Sequence, residues 1–528
     1  MAQMFELNSG NERTVLLNEI KNHLLAFDDN KHHMVTLKKV MHALEQKDID
    51  QIVTDLLQQQ DDFIRLIKGE NSYRTISKLF NMASDHTKSK LFDKAVYKQD
   101  IMELGTGRFS SRFICSLMPS MVEQDKSLFL EKIRDEMMGL ARDANGVFVL
   151  KEFLKTANAN VRDELFNSLR PHYVELCSHE IGRYFIQACL EMMQQFQLME
   201  FLYHLQNDFK YLCCTPYGSV IIRHFIKVSQ LQFNKFLFDE ILMKNIVEYA
   251  KNVHACFVIE EIAPSLDRIE KKKLFNMLAE HILELGEQKS SSIFLQKLIH
   301  LIDADSVTEL IHQIKPHIYP LCKSYNGSFV VQSLFNKVES KSSRRELIQS
   351  ISPHLVSLAL DKNGSKFLQY LVKILDMSEM DTNMLITVLL NNFSKLAASP
   401  SGSHVIQSIV NKGFADMVYI RMRGKLQLLS MQATSSFVIL ACMKECSKNN
   451  VHSILLELLM ASPTDISKKK VLTLANNPHS IFILKDSMKI LHEHFECADQ
   501  LLTSISEITK TNKKCLEMIQ DGSREETK

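Results

Sequence analysis

Apolar residues recur along most of this chain at intervals of three and four positions, the spacing that lines one face of an α-helix. The segment SSRRELIQSISPHLVSLAL at 342–360 follows this period, and the turn DKNG closes it. A second helical stretch, NGSKFLQYLV at 363–372, begins inside that turn. The pattern therefore predicts groups of two or three short amphipathic helices, joined by turns that contain Asn, Gly or Pro.

The second stretch occurs three times in nearly the same form: NGSFVVQSLF at 326–335, NGSKFLQYLV at 363–372 and SGSHVIQSIV at 401–410. On a helix with about 100° per residue, placing Ser328 at 0° puts Phe329 near 100° and Gln332 near 40°. Val330, Val331, Leu334 and Phe335 fall between about 200° and 340°. We therefore expect the apolar arc to pack inward, and Ser328, Phe329 and Gln332 to share an exposed arc.

A small residue occupies the second position of this decapeptide pattern in every copy, and we call it the anchor residue. The anchors are Ser72, Ser110, Gly146, Gly182, Gly218, Ala255, Ser291, Gly327, Gly364, Gly402, Ser435 and Ser480. Nine of the eleven successive spacings lie between 36 and 38 residues, so chance is a poor explanation. The small anchor is expected to let the preceding turn approach the start of the helix closely.

A unit of about 36 residues cannot bury its apolar faces alone, so neighbouring units must stack and bury them together. The spacing predicts an all-α solenoid of about 11 repeats. The copy NSYRTISKLF at 71–80 departs most from the pattern and is interpreted as a degenerate cap. The final spacing of 45 predicts an insertion near ASPTDISKKK at 461–470.

Three regions follow from this division of the chain. Residues 1–60 are expected to form a helical cap whose first fifteen residues are frayed. Residues 61–505 form the repeat solenoid, and 506–528 form a C-terminal tail that is disordered from about residue 515.

Composition narrows the class of protein without identifying a function. Gly (15) and Pro (10) are scarce, and 45% of residues are hydrophobic, which favours a large helical core. The net charge of +1 gives no global polyelectrolyte signal, so any anion-binding surface must arise locally. The N-terminal residues do not resemble a secretory leader, and no stretch approaches 18 apolar residues, so no membrane span is expected. Eleven scattered cysteines indicate reduced, mostly buried thiols, with Cys256 as an exposed exception.

The exposed arc of each copy holds a triplet: the residue after the anchor, the next residue, and the residue four after the first. The triplets from the N-terminal end are Tyr73-Arg74-Ser77, Ser111-Arg112-Cys115, Val147-Phe148-Lys151, Arg183-Tyr184-Gln187, Ser219-Val220-Arg223, Cys256-Phe257-Glu260, Ser292-Ile293-Gln296, Ser328-Phe329-Gln332, Ser365-Lys366-Gln369, Ser403-His404-Gln407, Ser436-Phe437-Leu440 and Ile481-Phe482-Lys485. Their middle positions are rich in rings and cations, which suit base stacking worth about 1–3 kcal/mol per base. The flanking Ser and Gln side chains can hydrogen-bond a base edge.

In spacing and in triplet layout, residues 70–500 resemble the pumilio (PUF) repeat family of single-stranded RNA-binding proteins. The resemblance implies a right-handed superhelical α-solenoid whose anchor helices read one base per repeat, with the RNA antiparallel to the protein. It implies adenine for a Ser/Gln pair and guanine for Cys256 with Glu260, hence 5′-AAAAG-3′ from Ser403 back to Cys256. The length of the array and its irregular triplets are similar to the nucleolar, eleven-repeat branch that assists small-subunit assembly.

Arg74, Arg112, Lys151, Arg183 and Arg223 cluster in the N-terminal triplets, whereas four Ser/Gln pairs occupy consecutive C-terminal repeats. We therefore expect the C-terminal half to read bases and the N-terminal half to hold phosphates or structured RNA. The predicted RNA-binding residues are Arg112, Lys151, Arg183, Tyr184, Gln187, Ser219, Arg223, Cys256, Phe257, Glu260, Ser292, Gln296, Ser328, Phe329, Gln332, Ser365, Lys366, Gln369, Ser403, His404, Gln407, Ser436 and Phe437.

The predicted function is binding of single-stranded or partly structured RNA by a monomer. Precursor ribosomal RNA in the nucleolus is the favoured target, and cytoplasmic messenger RNA is the alternative. A protein-binding helical scaffold of the HEAT or armadillo kind is a third possibility, although it does not explain why Ser and Gln recur in one register.

No enzymatic activity, cofactor or metal is expected. ACMKECSKNNVH at 441–452 lacks a fourth zinc ligand, and LHEHFEC at 491–497 lacks the two-His spacing of a metalloprotease. The sequence contains no phosphate loop, dinucleotide fingerprint or nucleophile elbow. The KKK runs at 271–273 and 468–470 are compatible with nuclear signals or with solvated loops.

Overall fold

The computed structural model describes residues 11–26, 41, 44–70, 72–91, 100–376, 380–462, 465–494 and 498–509. The chain divides into two compact units, Met1–Leu266 and Asp267–Lys528. Both units consist of stacked helical repeats, so the all-α, repeat-based fold class is confirmed. The tail at 510–528 and the first ten residues lie outside the described residues.

Each repeat contains a leading helix, a short helix and an anchor helix that carries the triplet. In the first unit the anchor helices are Ser72–Met82, Ser110–Leu117, Ala144–Thr156, Gly182–Met192, Pro216–Val228 and Cys256–Ile262. In the second unit they are Lys289–Leu301, Tyr325–Lys337, Lys362–Ile374, Pro400–Ile409, Ser435–Glu445 and Ile481–His494. Within each unit, consecutive anchor helices contact one another and bury a continuous apolar core.

The other elements follow the same order. The leading helices are Gln46–Gln58, Asp85–Leu91, Glu123–Ile133, Ala159–Leu169, Gln195–Leu205, Leu231–Phe236 with its π-helical continuation Leu237–Leu242, Arg268–Ala279, Lys341–Ile351, Met380–Asn391, Ala415–Met422, Lys448–Leu459 and Ala498–Thr509. The short helices are Gln60–Lys68, Ile101–Thr106, Met137–Arg142, Tyr173–Ser178, Phe209–Cys214, Ile246–Lys251, Ile282–Glu287, Leu355–Leu360, Phe393–Ala397, Leu426–Ser430 and Lys468–Ala475. Single 3₁₀ turns occupy Met118–Ser120, Arg170–His172, Met243–Asn245, Ala263–Ser265 and Ser352–His354. In one repeat the leading and short helices are fused as Ala304–Lys323, which contains Pro316 and Pro320.

The turn before several of the anchor helices is stabilised by a side-chain cap. The carboxylate of Asp143 accepts hydrogen bonds of 2.8 Å from the backbone N–H groups of Asn145 and Gly146. Asp361 caps Lys362–Ile374 in the same way. Such caps satisfy N–H groups that have no partner inside the helix. The Asp and Ser residues three positions before the anchors therefore determine where the anchor helices begin.

The anchor residues are small because the short helix comes very close to them. A Cβ built on Gly146 would lie 2.3 Å from the carbonyl oxygen of Leu140, and one on Gly402 would lie 2.4 Å from that of Leu396. Where the anchor is serine, its hydroxyl donates to the equivalent carbonyl, as Ser110 does to Leu104 at 2.7 Å. The expected close approach at the anchor is confirmed, and a leucine six residues earlier is the usual neighbour.

Irregular repeat spacings correspond to local changes in structure. Met460–Ser462 and Asp465–Ile466 form a two-stranded antiparallel sheet, which lies within the predicted insertion near 461–470. The shortest spacing, 33 residues, has a π-helical segment at Val410–Phe414 and positive φ angles at Gly413 and Gly424. These glycines allow sharp turns that other residues adopt only with strain.

The N-terminal segment is helical from the first described residue. Asn11–Ala26 packs on Gln46–Gln58, and Gln46–Gln58 in turn packs on the first anchor helix. The described helix begins at Asn11, and the frayed start of the cap stays a prediction. The assignment of 1–60 as a cap remains a prediction.

The lysine runs are not in loops. Lys272 lies in Arg268–Ala279 and forms an ion pair of 2.7 Å with Glu309. Lys470 lies in Lys468–Ala475 and donates to the carbonyl of Met460 at 2.8 Å. The loop interpretation is wrong because both runs occupy helices. In the described part of the chain, no helix combines the length and apolar character of a membrane span.

Candidate nucleic-acid interface

The three triplet positions differ in exposure in a way that repeats along the chain. The middle positions are exposed in all described repeats except at Val220, which is half-buried. The third positions are half-buried, apart from the buried Ser77. The first positions are buried, apart from the half-buried Arg183. We call the surface formed by the middle and third positions of each unit its anchor face.

The prediction that the first-position serines are exposed is wrong. Ser328 is 5% exposed, whereas the neighbouring Phe329 is 40% exposed. The Ser328 hydroxyl donates to the carbonyl of Tyr325, three residues earlier, at 2.9 Å. Similarly placed and buried are Ser219, Ser292, Ser365, Ser403 and Ser436. A helical wheel describes one helix alone and does not include the packing of consecutive anchor helices against one another.

Cys256 is also buried. Its side chain is 1% exposed, and its Sγ lies 3.6 Å from the carbonyl oxygen of Val253. The exception made for Cys256 is therefore wrong, and its thiol resembles the buried Cys177, Cys189 and Cys442. Glu260, the predicted partner of Cys256, is half-buried on the anchor face.

The third-position glutamines share an unusual property. Among the described residues, their side-chain amides form no hydrogen bond with the protein, and the Nε2 atom of Gln407 is fully buried without a partner. These residues are Gln187, Gln296, Gln332, Gln369 and Gln407. Buried polar groups normally have partners, so the unpaired Nε2 atom of Gln407, at a position where glutamine recurs, is consistent with a surface that binds a polar ligand.

The middle positions present flat or cationic side chains to solvent. In the first unit, Phe148, Tyr184 and Phe257 are 65%, 45% and 38% exposed. In the second unit, Phe437 is 56% exposed, and Lys366 and His404 are also exposed. An exposed aromatic ring has few protein contacts to lose when a ligand binds, and it can stack on a base. These positions are therefore suited to unpaired bases.

The exposed Tyr325 was missed by the triplet analysis. It lies two residues before its anchor, is 57% exposed, and its ring contacts Phe329 edge-on at a centroid distance of 5.6 Å. The Lys366 ammonium lies 5.7 Å from the Tyr325 ring centre. The sequence feature that could have identified Tyr325 is an aromatic residue just before the anchor, a position that the triplet does not include.

Arg183 is held in place by two aromatic rings. Its guanidinium lies 4.3 Å from the Tyr184 ring centre and 5.4 Å from that of Tyr217. It also donates to the Tyr184 hydroxyl at 2.7 Å and to the carbonyl of Glu180 at 3.0 Å. Arginine stacked in this way keeps its charge and its remaining N–H donors, so Arg183 is preorganised to bind an anion.

Arg223 differs because it has an acidic partner. Its Nε atom lies 3.1 Å from Glu261 Oε2, while Lys227 lies 3.6 Å from the other oxygen of the same carboxylate. The Phe257 ring centre is 5.6 Å from the Arg223 guanidinium. Part of the positive charge predicted for the N-terminal triplets is therefore neutralised within the protein. Lys151, in the same group, is half-buried.

Two further arginines surround Tyr73 at the start of the first unit. The Tyr73 hydroxyl accepts hydrogen bonds from Arg74 Nε at 3.0 Å and from Arg112 Nη1 at 3.5 Å. Burial raises the pKa of Tyr73, but these two arginines lower it by more, so the net shift is downward. The Tyr73 ring stacks on Phe109 with a centroid distance of 5.5 Å. Arg112 of this cluster was among the predicted RNA-binding residues, and Arg74 was named with it among the N-terminal cations, but the contact that joins Arg112 to Tyr73 across two repeats was not predicted.

Comparisons with known proteins agree with this architecture. The model of the Pumilio-family RNA binding repeat matches six consecutive segments: 172–199, 209–242, 245–278, 281–315, 317–352 and 354–381. Among curated proteins, Pumilio homolog 12 of Arabidopsis thaliana is 20% identical over 358 residues, which are 67% of this chain and 53% of that protein. The chain thus aligns with about half the length of that relative.

Solved structures show the same fold at low sequence identity. PUF-8 in complex with PBE-RNA is 18% identical with a TM-score of 0.51, and the match covers 60% of this chain and 94% of PUF-8. A mutant Puf4 bound to a Cox17 RNA 3′ UTR recognition sequence is 19% identical with a TM-score of 0.52, covering 59% of this chain and 98% of Puf4. Six repeats of this chain, within residues 172–381, therefore match the Pumilio-family RNA binding repeat, and the solved structures show the same helical-repeat fold.

Proposed function

We propose that this protein binds single-stranded RNA along its anchor faces, with bases stacked on the middle positions and hydrogen-bonded by the third positions. The observation that carries this proposal is the recurrence of half-buried glutamines at one helical position, four of them in consecutive repeats of the second unit, together with the buried Nε2 atom of Gln407 that has no partner. An amide offers one acceptor and two donors, which matches the mixed edges of a nucleobase. A protein-binding scaffold has no need for this arrangement.

Base reading in the second unit depends on the glutamines more than on the serines. Each serine hydroxyl already donates its hydrogen to its own helix, as Ser365 does to the Lys362 carbonyl at 3.1 Å. The glutamine beside it is therefore the side chain with both donors and an acceptor available. The purine-rich preference 5′-AAAAG-3′ stays a prediction of the family resemblance.

The first test is selection of RNA from a random pool on the full chain. It is repeated with a triple variant in which Gln332, Gln369 and Gln407 are changed to Ala. A matched control changes Gln313 and Gln349 to Ala, because both are exposed on leading helices away from the anchor face. Loss of a hydrogen-bonded base contact costs about 1 kcal/mol, or roughly fivefold in affinity per position.

The outcomes of this selection separate three hypotheses. A short motif that the triple variant loses and the control keeps supports base reading. Salt-sensitive binding without a motif, unchanged in the triple variant, indicates backbone recognition alone. Failure to bind RNA at moderate salt refutes the proposal and favours a scaffold.

The first unit is proposed to contact phosphates. Arg183 carries this role best, since Arg223 is already paired with Glu261. Changing Arg183 to Glu should weaken binding of all RNA sequences and lower the salt dependence by about one counterion. Lys132→Glu is the control, because Lys132 is exposed on a leading helix of the same unit. An effect restricted to one RNA sequence would contradict this role.

In the cell, we propose that the target is precursor ribosomal RNA during small-subunit assembly, and that the protein resides in the nucleolus. The length of the array supports this role. Solved relatives match over 94% and 98% of their own chains but only about three fifths of this one. Crosslinking of the protein to RNA in cells, with fluorescence microscopy, tests the proposal. Recovery of messenger RNA from a cytoplasmic protein would overturn it.

A further inference from the structure

The first two anchor helices carry a cluster of arginines and aromatic rings. Ser72–Met82 is the first anchor helix in the described part of the chain, and Ser110–Leu117 packs on it. The helices before it that contact it, Gln46–Gln58 and Gln60–Lys68, are a leading helix and a short helix. A strand that follows the anchor face of the first unit in this direction therefore ends, or leaves the face, beside Ser72–Met82.

The triplets of these two helices lack the side chains that would read a base. Their middle positions are the exposed Arg74 and Arg112, where most later repeats carry a ring. Their third positions are the buried Ser77 and the half-buried Cys115. Burial, followed by the nearby Glu152 carboxylate, raises the pKa of Cys115 to about 12, so its thiol is protonated at neutral pH. This end of the anchor face therefore presents charge and no glutamine amide.

Two stacked rings hold the guanidinium groups in place. Tyr73 stacks on Phe109, and the Arg74 guanidinium lies 5.7 Å from the Tyr73 ring centre. The Arg108 guanidinium lies 5.4 Å from the ring centre of Phe109. Arg112 reaches the same place from the second repeat through its hydrogen bond to the Tyr73 hydroxyl. An arginine that contacts a ring keeps its charge and its N–H donors, so this cluster is ordered before a ligand binds.

The positive charge of the cluster is not balanced by its neighbours. Arg74, Arg108 and Arg112 are exposed, and among the described residues none of them forms an ion pair with a carboxylate. Glu70 acts on Arg74 only through its charge, without a direct contact. Glu152 and Arg112 line a cavity of about 440 Å³, but they are not paired. Guanidinium groups held close together repel one another, and an anion bound among them would relieve that repulsion.

The Tyr73 hydroxyl adds a further donor at the same point. It accepts hydrogen bonds from Arg74 and Arg112, and its own hydrogen has no acceptor within the described residues. Burial raises the pKa of Tyr73 and the two arginines lower it by more, so its O–H group is a stronger donor than that of an ordinary tyrosine. One anion can therefore accept hydrogen bonds from two guanidinium groups and a hydroxyl.

We propose that this cluster of Tyr73, Arg74, Arg108 and Arg112 binds the terminal phosphate monoester of an RNA strand. The inference rests on the proposed RNA-binding function and specifies the group that is held at one end of its surface. A phosphodiester inside a strand carries one negative charge, whereas a phosphate monoester carries about 1.5 to 2 at neutral pH. The single Arg183 suits an internal phosphodiester. Three cations suit the larger charge, and their place on the first anchor helices suits a group that occurs only where a strand ends.

The test uses the full chain and the RNA selected on it. The selected sequence is lengthened and shortened one nucleotide at a time from each end. Each RNA is made with hydroxyl ends, with a 5′-phosphate or with a 3′-phosphate, and its dissociation constant is measured by fluorescence anisotropy. A terminal phosphate should tighten binding about tenfold at one end and at one length, because only there does it reach the cluster. The end that responds, 5′ or 3′, identifies the direction of the strand.

Two variants assign this effect to the cluster. Arg74→Gln combined with Arg112→Gln should abolish the effect of the terminal phosphate and leave the affinity for hydroxyl-ended RNA little changed. Tyr73→Phe keeps the ring and its stacking, so it should reduce the effect through loss of the hydroxyl alone. Lys132→Gln combined with Arg134→Gln is the control, because both residues are exposed at the end of a leading helix of the same unit.

The outcomes distinguish failure of this site from failure of RNA binding. If the wild type binds hydroxyl-ended and phosphorylated RNA equally at every length, the cluster holds no terminal phosphate and the proposed function stands. The same holds if the effect persists in the double arginine variant, or if RNA longer by one nucleotide binds as tightly as the phosphorylated form. If the wild-type chain selects no RNA, both proposals are overturned. Circular dichroism checks that each variant is folded.

Discussion

Replacement of the anchor Gly146 by alanine tests the physical basis of the repeat. A Cβ at this position would lie 2.3 Å from the Leu140 carbonyl oxygen, 2.8 Å from its Cα and 2.9 Å from its carbonyl carbon. All three are backbone atoms of the short helix, so they cannot move without displacing that helix. The two helices must therefore separate in the variant.

Two effects of opposite sign determine the change in stability. Alanine is favoured over glycine inside a helix by about 0.8–1.0 kcal/mol. Overpacking costs about 1–3 kcal/mol, and a clash with three backbone atoms belongs at the upper end. We expect a net destabilisation of about 2 kcal/mol, which corresponds to roughly 30-fold faster exchange of the amide hydrogens in this repeat.

Gly139→Ala is the matched control in the same repeat. Its added Cβ would meet only the terminal Cε and Sδ of Met102, at 2.6 and 2.9 Å. That flexible side chain can move aside, so the helix preference of alanine prevails and the variant should be neutral or slightly stabilised. Gly146→Ser should fall between the two alanine variants, because its hydroxyl can donate to Leu140 as Ser110 donates to Leu104.

The assay is amide hydrogen exchange over residues 137–156, followed by mass spectrometry. A local measurement is needed because the chain forms two units, and a single global unfolding free energy need not describe both. Wild-type protection in Gly146→Ala, or equal loss in Gly146→Ala and Gly139→Ala, would refute the role assigned to the anchor.

Three further predictions concern individual hydrogen bonds and buried thiols. Hydrogen bonds from Asn450, and then from Ser447, hold the pKa of Asp416 below its usual value, so this stabilisation is present above about pH 4 and is lost as the pH falls. In acid titrations followed by circular dichroism, the stability of Asp416→Asn should therefore depend less on pH than that of the wild type. An unchanged titration profile would contradict the role assigned to the Asp416 carboxylate. Burial raises the pKa of the Cys177 and Cys189 thiols, so the folded state keeps protons that the unfolded chain releases above about pH 8.5. In reducing buffer, the urea concentration at the unfolding midpoint should decrease as the pH is raised from 8 to 10. The decrease should be smaller in the variant with both residues changed to Ala. Asn326→Ala removes the hydrogen bond of 2.8 Å to the Glu287 carbonyl of the preceding repeat and should cost about 0.5–1.5 kcal/mol in urea denaturation, whereas Gln349→Ala should cost nothing measurable.

The sequence alone determined the repeat and the orientation of its apolar faces. Helical periodicity and the 36-residue spacing are local properties, so they can be read without knowing which helices are neighbours. For the same reason the exposure of Phe329 and the burial of Val330 and Val331 were predicted correctly. The small anchors also followed from local reasoning, since the turn and the helix start that approach each other are only six residues apart.

Only the tertiary structure decided which polar groups remain available. Ser328 is buried although the wheel of a single helix places it on the exposed arc, and Arg223 is paired with Glu261, which lies 38 residues further along the chain. The pairing of Arg112 with Tyr73 spans 39 residues, and the cavity beside Glu152 lies between two repeats. These features depend on distances between stacked repeats, which no periodicity within a single helix encodes. The physical reason is that burial and charge pairing belong to pairs of helices, whereas amphipathicity belongs to one.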